Sequence, residues 1–220
     1  MSDGLFSKEI WVQKIFTGRS AVMVLLQGRK GRMPMTNRQF GEIALHACQW
    51  STAVLQQGRR FLNAFKTVGG KLPWDEDEES GMFLADRVFL ITAMNHAITN
   101  LEYLNDELVR RGDDSFSCVL NAIATQEERK KIQVWRNMNE HDTAYIVGQG
   151  RKQQEFISTY EKNDFRVRTN AFFTYLNGNE HVFLIGSIEI DQLLLKFKNN
   201  LPQIKTKTKE IFDSSFFQDD

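Results

Sequence analysis

The 220-residue chain reads as mainly α, an antiparallel helical bundle with a small antiparallel β element inserted before the C-terminal helix. Three observations carry that expectation. Apolar residues recur at steps of three and four through two long stretches, 37–68 and 80–111, as the core-facing stripe of a helix requires. After Gly148-Gln149-Gly150 the period shifts and aromatic and branched residues cluster, which favours strands. From Ile188 the helical spacing returns.

Composition sets the class. The chain carries 28 basic and 28 acidic side chains, and 41% of its residues are apolar. Such a chain is globular rather than disordered and has enough length to bury a core. A net charge of zero argues against non-specific coating of nucleic acid or membrane, while leaving room for a local basic patch. No apolar run approaches the roughly 20 residues that span a bilayer, and the start lacks a secretory pattern. A cytoplasmic location is expected. Cys48 and Cys118 fall in apolar helical patterns and read as free thiols, with no metal-ligand spacing, so no cofactor or metal is expected.

Residues 1–36 read as an N-terminal extension in which Ala21–Leu26 can form a short strand. Gly28-Arg29-Lys30-Gly31-Arg32 lacks the ending of a phosphate loop and reads as a solvated turn. Thr36 or Asn37 caps the first long helix, whose stripe is Phe40, Ile43, Ala44, Ala47, Val54, Phe61, Leu62 and Phe65; Gly69-Gly70 ends it. Leu84, Val88, Ile91, Met94, Ile98, Leu101, Leu104 and Leu108 form the seam of the second. His96, alone near its middle, reads as structural. Gly112 closes this helix and Asp113 or Asp114 caps the third, with the polar stretch Gln126–Lys131 read as a solvated break before a fourth. Residues 155–160, 171–176 and 181–185 read as strands, with Asn177-Gly178-Asn179 turning a hairpin within about 155–186. Pro202 is expected to end the last helix, and 211–220 to be a frayed tail. A single helical domain would thus occupy 37–210.

Chemistry concentrates at Trp135-Arg136-Asn137-Met138-Asn139-Glu140-His141. On a helix, Asn137 and His141 share a face, as do Arg136 and Glu140 on a stripe about 100° away. Arg136 can reach round toward His141. A five-donor cation beside a group that titrates near neutrality suits gripping a phosphate and moving a proton.

Arg136-Asn137-x-x-x-His141, late in a multi-helix chain, resembles the signature of the HEPN superfamily, helical-bundle proteins of bacterial toxin and defence systems. The resemblance covers about 37–148. It implies a homodimer whose motif helices face one another and, often, metal-independent endoribonuclease activity on RNA. His141 would then act as acid/base, Arg136 as phosphate clamp and Asn137 as orienter, while Glu140 supports Arg136 by pairing. It also implies an antitoxin or defence-system partner. Some family members carry a tyrosine two places after the histidine as a modification target; Thr143 stands there in this chain, with Tyr145 nearby.

Two further functions compete. One is a non-catalytic binding module for a protein, nucleotide or RNA. The other is RNA binding through the β segment, where Arg151, Lys152, Lys162, Arg166 and Arg168 lie among Tyr160, Phe165, Phe172, Phe173 and Tyr175. Aromatics that pack the sheet onto the bundle, with cations facing water, explain the same pattern without RNA.

Overall fold

A computed structural model describes residues 15–17, 20–22, 34–68, 78–141, 144, 146–150, 157–160, 165–168, 172–177 and 180–216. The molecule is mainly helical, with a small antiparallel sheet before the last helix. The helices are α1 (Asn37–Val68), α2 (Glu78–Arg110), α3 (Ser117–Ile123), α4 (Gln126–Glu140) and α5 (Ile190–Phe216). The strands are β1 (Ile15–Thr17), β2 (Ser20–Val22), β3 (Ile157–Tyr160), β4 (Phe165–Arg168), β5 (Phe172–Asn177), β6 (Glu180–Ile185) and β7 (Ile188–Glu189). No described helix is long and apolar enough to cross a membrane.

Thr36, not Asn37, caps α1. Its hydroxyl accepts from the Gln39 N–H at 3.2 Å while the Gln39 side chain accepts from the Thr36 N–H at 3.0 Å. Phe40, Ile43, Ala44, Ala47, Val54 and Phe61 are buried as their spacing requires, and Leu62 and Phe65 are half-buried. On α2, Ile91, Met94, Ile98, Leu101, Leu104 and Leu108 complete that core. The two helices run antiparallel, pinned at both ends. Late α1 meets early α2 where Gln57 Nε2 donates to the buried Asp86 at 3.0 Å and Arg60 pairs with it at 2.7 Å. At the other end, Arg111 Nε donates at 2.8 Å to the buried Glu107, and its Nη1 donates at 3.0 Å to Asn37. The Arg111 guanidinium also lies 4.3 Å from the Phe40 ring centre.

Gly112 (φ 89°) ends α2 as expected. Its N–H donates to the Val109 carbonyl and that of Asp113 to Leu108, the pairing that satisfies the last carbonyls of a helix. The expected cap at Asp113 or Asp114 is corrected: Phe116 occupies the α3 cap position, with no side-chain cap bond. Asp113 instead accepts from the Ser115 N–H at 2.9 Å and from Lys207 of α5 at 2.7 Å, which holds its carboxyl far below the usual range. Phe116, Val119, Leu120 and Ile123 are buried together.

The expected break within Gln126–Lys131 is also corrected. It falls earlier, at Ala124–Thr125, and the charged run forms the first turns of α4. Thr125 makes a capping box with Glu128, a signal that outweighs the polarity of the residues after it. Lys196 of α5 joins the same carboxylate at 2.9 Å. Burial would raise the Glu128 pKa, but these hydrogen bonds and the lysine hold it below its ordinary value.

Pro202 does not stop the last helix. α5 runs through it to Phe216, so the frayed tail expected from 211 is corrected for 211–216. Pro202 is exposed, where water can take the orphaned carbonyl one turn back. Ile204, Thr208 and Ile211 are buried beyond it, and that packing keeps the chain helical. Two glycines let α5 lie close on α1. A Cβ at Gly58 would sit 2.5 Å from Leu194 Cδ2, and one at Gly41 would sit 2.5 Å from Phe216 Cε2.

The β segment holds more strands than its composition announced. β3 pairs antiparallel with β4, which the sequence did not mark, and β5, β6 and β7 form a three-stranded antiparallel sheet. Asn177 faces Glu180 at the expected hairpin. The short β2 strand within Ala21–Leu26 begins at Ser20 and pairs with β1. Phe172 of β5 and Phe183 of β6 join Phe61, Phe65 and Phe83, with Phe61 and Phe172 edge to face at 4.9 Å and Phe65 and Phe183 at 5.2 Å. These rings fasten the sheet to the bundle.

Candidate functional site

The site begins with the face on which α4 is anchored. Ile132, Trp135 and Met138 recur every three residues and are wholly buried on the side that packs against α2. Arg136, one step beyond Trp135, is thereby carried to the flank of the helix. Its Nη2 lies 2.8 Å from Glu140 Oε1, with the side chains 35% and 46% exposed. The expected i,i+4 pair is present and reachable by solvent.

α4 ends one residue short of the histidine. His141 is the C-cap, with φ −129° and ψ 31°, and is exposed. The long helix expected to run to about Gly148 is therefore corrected: α4 proper stops at Glu140. Asn137 and His141 are linked by the main chain, the His141 N–H donating to the Asn137 carbonyl at 3.1 Å. That bond fixes the backbone of His141 at the helix end and leaves its imbidazole projecting beyond the last turn. The half-buried Asn137 carboxamide stays on α4 one residue from Arg136.

The structure adds a group that the sequence gave no reason to prefer. His96 of α2 is half-buried and close enough to Arg136 and Glu140 of α4, and to His46 of α1, to feel their charges. Its ring stacks on Trp50 of α1, centres 4.5 Å apart and planes 24° apart. Burial is the main cause that pushes the His96 pKa below its ordinary value; the Arg136 charge and His46 push the same way, and Glu140 opposes them. A neutral imidazole at physiological pH follows. His46 and Trp50 are four apart on α1 and share a face, a spacing visible in the sequence. Only the α2–α4 packing brings that face to the Arg136 motif.

The remaining expected residues separate from this cluster. Arg166 and Arg168 alternate on β4 and therefore lie on one face of the hairpin, opposite Thr159 and Ile157 of β3. Phe172, offered in the sequence as a stacking platform, is packed among the rings that join sheet to bundle, which removes it from a base-binding role. Arg151, Lys152, Lys162, Thr143, Tyr145 and the glycine-flanked basic turn 28–32 lie outside the described residues.

Chemically, the α1–α2–α4 face offers a guanidinium held by a carboxylate, two half-buried imidazoles and an indole. The α4 tip adds a third, exposed imidazole. No family model matches the chain, and neither the curated proteins nor the solved structures provide a match.

Proposed function

We propose that the chain is a metal-independent endoribonuclease of the HEPN type, acting in a toxin or phage-defence system, with a composite site at a homodimer interface. The observation that supports this is the placement of Arg136 and His141 within one turn at the same solvent-reached end of α4. Cleavage of RNA by its own 2′-hydroxyl needs a base for that hydroxyl, charge stabilisation at phosphorus and a proton for the departing 5′-oxygen. One His141 serves one proton transfer at a time. A second copy of the motif across a two-fold axis supplies the other. Arg136 grips the phosphate through its fork of donors, and Asn137, on the adjacent turn, orients the reacting strand. Glu140 holds the guanidinium in place until a phosphate replaces it.

The test is incubation of the purified protein with single-stranded RNA in EDTA. Cleavage by the wild type, abolished by His141→Ala and strongly reduced by Arg136→Ala, is the expected result, with a dimer in sedimentation. RNA left intact both in EDTA and in magnesium would refute it. The second reading, a non-catalytic binding module, draws on the Arg136–Glu140 pair itself, because a guanidinium already engaged is equally suited to a fixed interface. Under that reading, Arg136→Ala and His141→Ala weaken dimerisation or partner capture and there is no turnover to lose.

A further inference from the structure

We infer that His46, His96 and Arg136 form a binding site for a phosphoryl group within a single protomer, on the face where α1, α2 and α4 meet. The inference shares Arg136 with the proposed cleavage site but does not require cleavage or a second copy.

Three helices contribute the groups. Arg136 of α4 brings a permanent cation, one-third exposed. His96 of α2 lies within range of its charge, and His46 of α1 within range of His96. Among the described residues neither imidazole makes a hydrogen bond; the bond at residue 96 is to its backbone carbonyl, from Asn100 at 2.7 Å. Two half-buried rings with free ring nitrogens beside a guanidinium make a set of donors without an acceptor. Trp50 stacks on one face of the His96 ring and so restricts its orientation, directing its polar edge rather than its face to a ligand. The acidic group that faces His96 in this set is Glu140, which already neutralises Arg136.

In the empty site, burial and the neighbouring cations keep His96 neutral. A phosphoryl group reverses that balance. Its negative charge compensates Arg136, replaces the Glu140 carboxylate and favours protonation of His96 and His46, each of which then donates a charge-assisted hydrogen bond. Anion binding is therefore coupled to proton uptake. Affinity rises as pH falls, by up to about tenfold per pH unit for each proton taken up.

The experiment follows the histidine ring resonances by NMR while full-length protein is titrated at pH 8 and pH 6. The first probe is inorganic sulfate, which stays dianionic over that range and isolates the protein's own titration. Uridine 5′-monophosphate and a short oligouridine then distinguish a free nucleotide from an RNA backbone as the source of the phosphoryl group. The expected result is a saturable shift of His96 and His46, tighter at pH 6, with an upward shift of the His96 midpoint on binding. Arg136→Gln and His96→Asn should each weaken sulfate binding by about tenfold or more, with unchanged melting temperature as the folding control. His141→Ala separates the two proposals: it removes cleavage if the nuclease reading holds, yet retains sulfate binding if the three-helix site exists. Unmoved His96 and His46 resonances would overturn the inference. So would binding that survives His96→Asn but is lost in His141→Ala, which would place the anion at the tip of α4.

Discussion

Replacing Glu140 by glutamine isolates what its carboxylate does. The ion pair with Arg136 spans 2.8 Å between side chains 35% and 46% exposed. Exposed i,i+4 pairs contribute only about 0.3–0.5 kcal/mol to stability. For a chain of this length that corresponds to a fall of about 1–2 °C in melting temperature. The effect on anion binding is larger. The same ~0.3–0.5 kcal/mol no longer opposes release of Arg136, and a carboxylate about 4 Å from the arriving anion, repelling it by about 1 kcal/mol in a water-like dielectric, is gone. Together these amount to about 1.5 kcal/mol, or roughly tenfold in affinity. Glu140→Gln should therefore bind sulfate, and RNA if Arg136 is its clamp, about tenfold more tightly at low salt, with the gain shrinking as ionic strength rises. Titration at two salt concentrations beside a thermal melt supplies both numbers. Unchanged or weaker anion affinity with an unchanged melting temperature would show that the carboxylate does not compete for Arg136, and the reasoning would fail.

Other perturbations probe the packing that presents the site. His96 has a folded-state pKa below its unfolded value of about 6.5, so below that pH the unfolded chain binds more protons and stability falls. The loss should appear between about pH 6.5 and the lowered folded value, and His96→Asn should flatten that part of a stability-versus-pH curve; identical slopes would contradict it. Glu107 and Glu128, whose pKa values are lowered, lose their contribution only below about pH 4.3, outside that window. Gly58→Ala gains up to ~1 kcal/mol of helix propensity but forces Leu194 aside, and overpacking of this kind costs about 1–3 kcal/mol. A net destabilisation of about 1 kcal/mol in urea melts is expected, and a more stable variant would show that α5 can move off α1 freely. Pro202→Ala restores a donor inside α5 on its exposed side and should stabilise by about 1–2 kcal/mol, after the loss of proline's stiffening of the unfolded chain. A less stable variant would mean that the helix depends on the proline for its path.

The long helices were legible because their apolar residues repeat on a stripe and their ends carry punctuation, Thr36 with Gln39 before α1 and Gly112 after α2. The errors have local physical causes. Gln126–Lys131 is polar enough to resemble a loop, but Thr125 and Glu128 cap one another and the charged residues occupy the solvent side of a helix fixed by Ile132, Trp135 and Met138. Pro202 is a helix breaker in isolation, and burial of Ile204, Thr208 and Ile211 overrides it. At the site, the Arg136–Glu140 pair follows from spacing alone, because it lies within one turn. The meeting of His96 with Arg136 and Trp50 joins three helices distant in sequence, and a lone histidine on a helix carries no local sign of its partners.

The central claim is that the Arg136–His141 end of α4 cleaves RNA by proton transfer and phosphate clamping. Its most direct test is the chemistry of the ends produced when a labelled single-stranded RNA is incubated with the protein in EDTA. The account predicts 2′,3′-cyclic phosphate and 5′-hydroxyl termini, absent with His141→Ala. Intact RNA, or termini bearing 5′-phosphates, would contradict it.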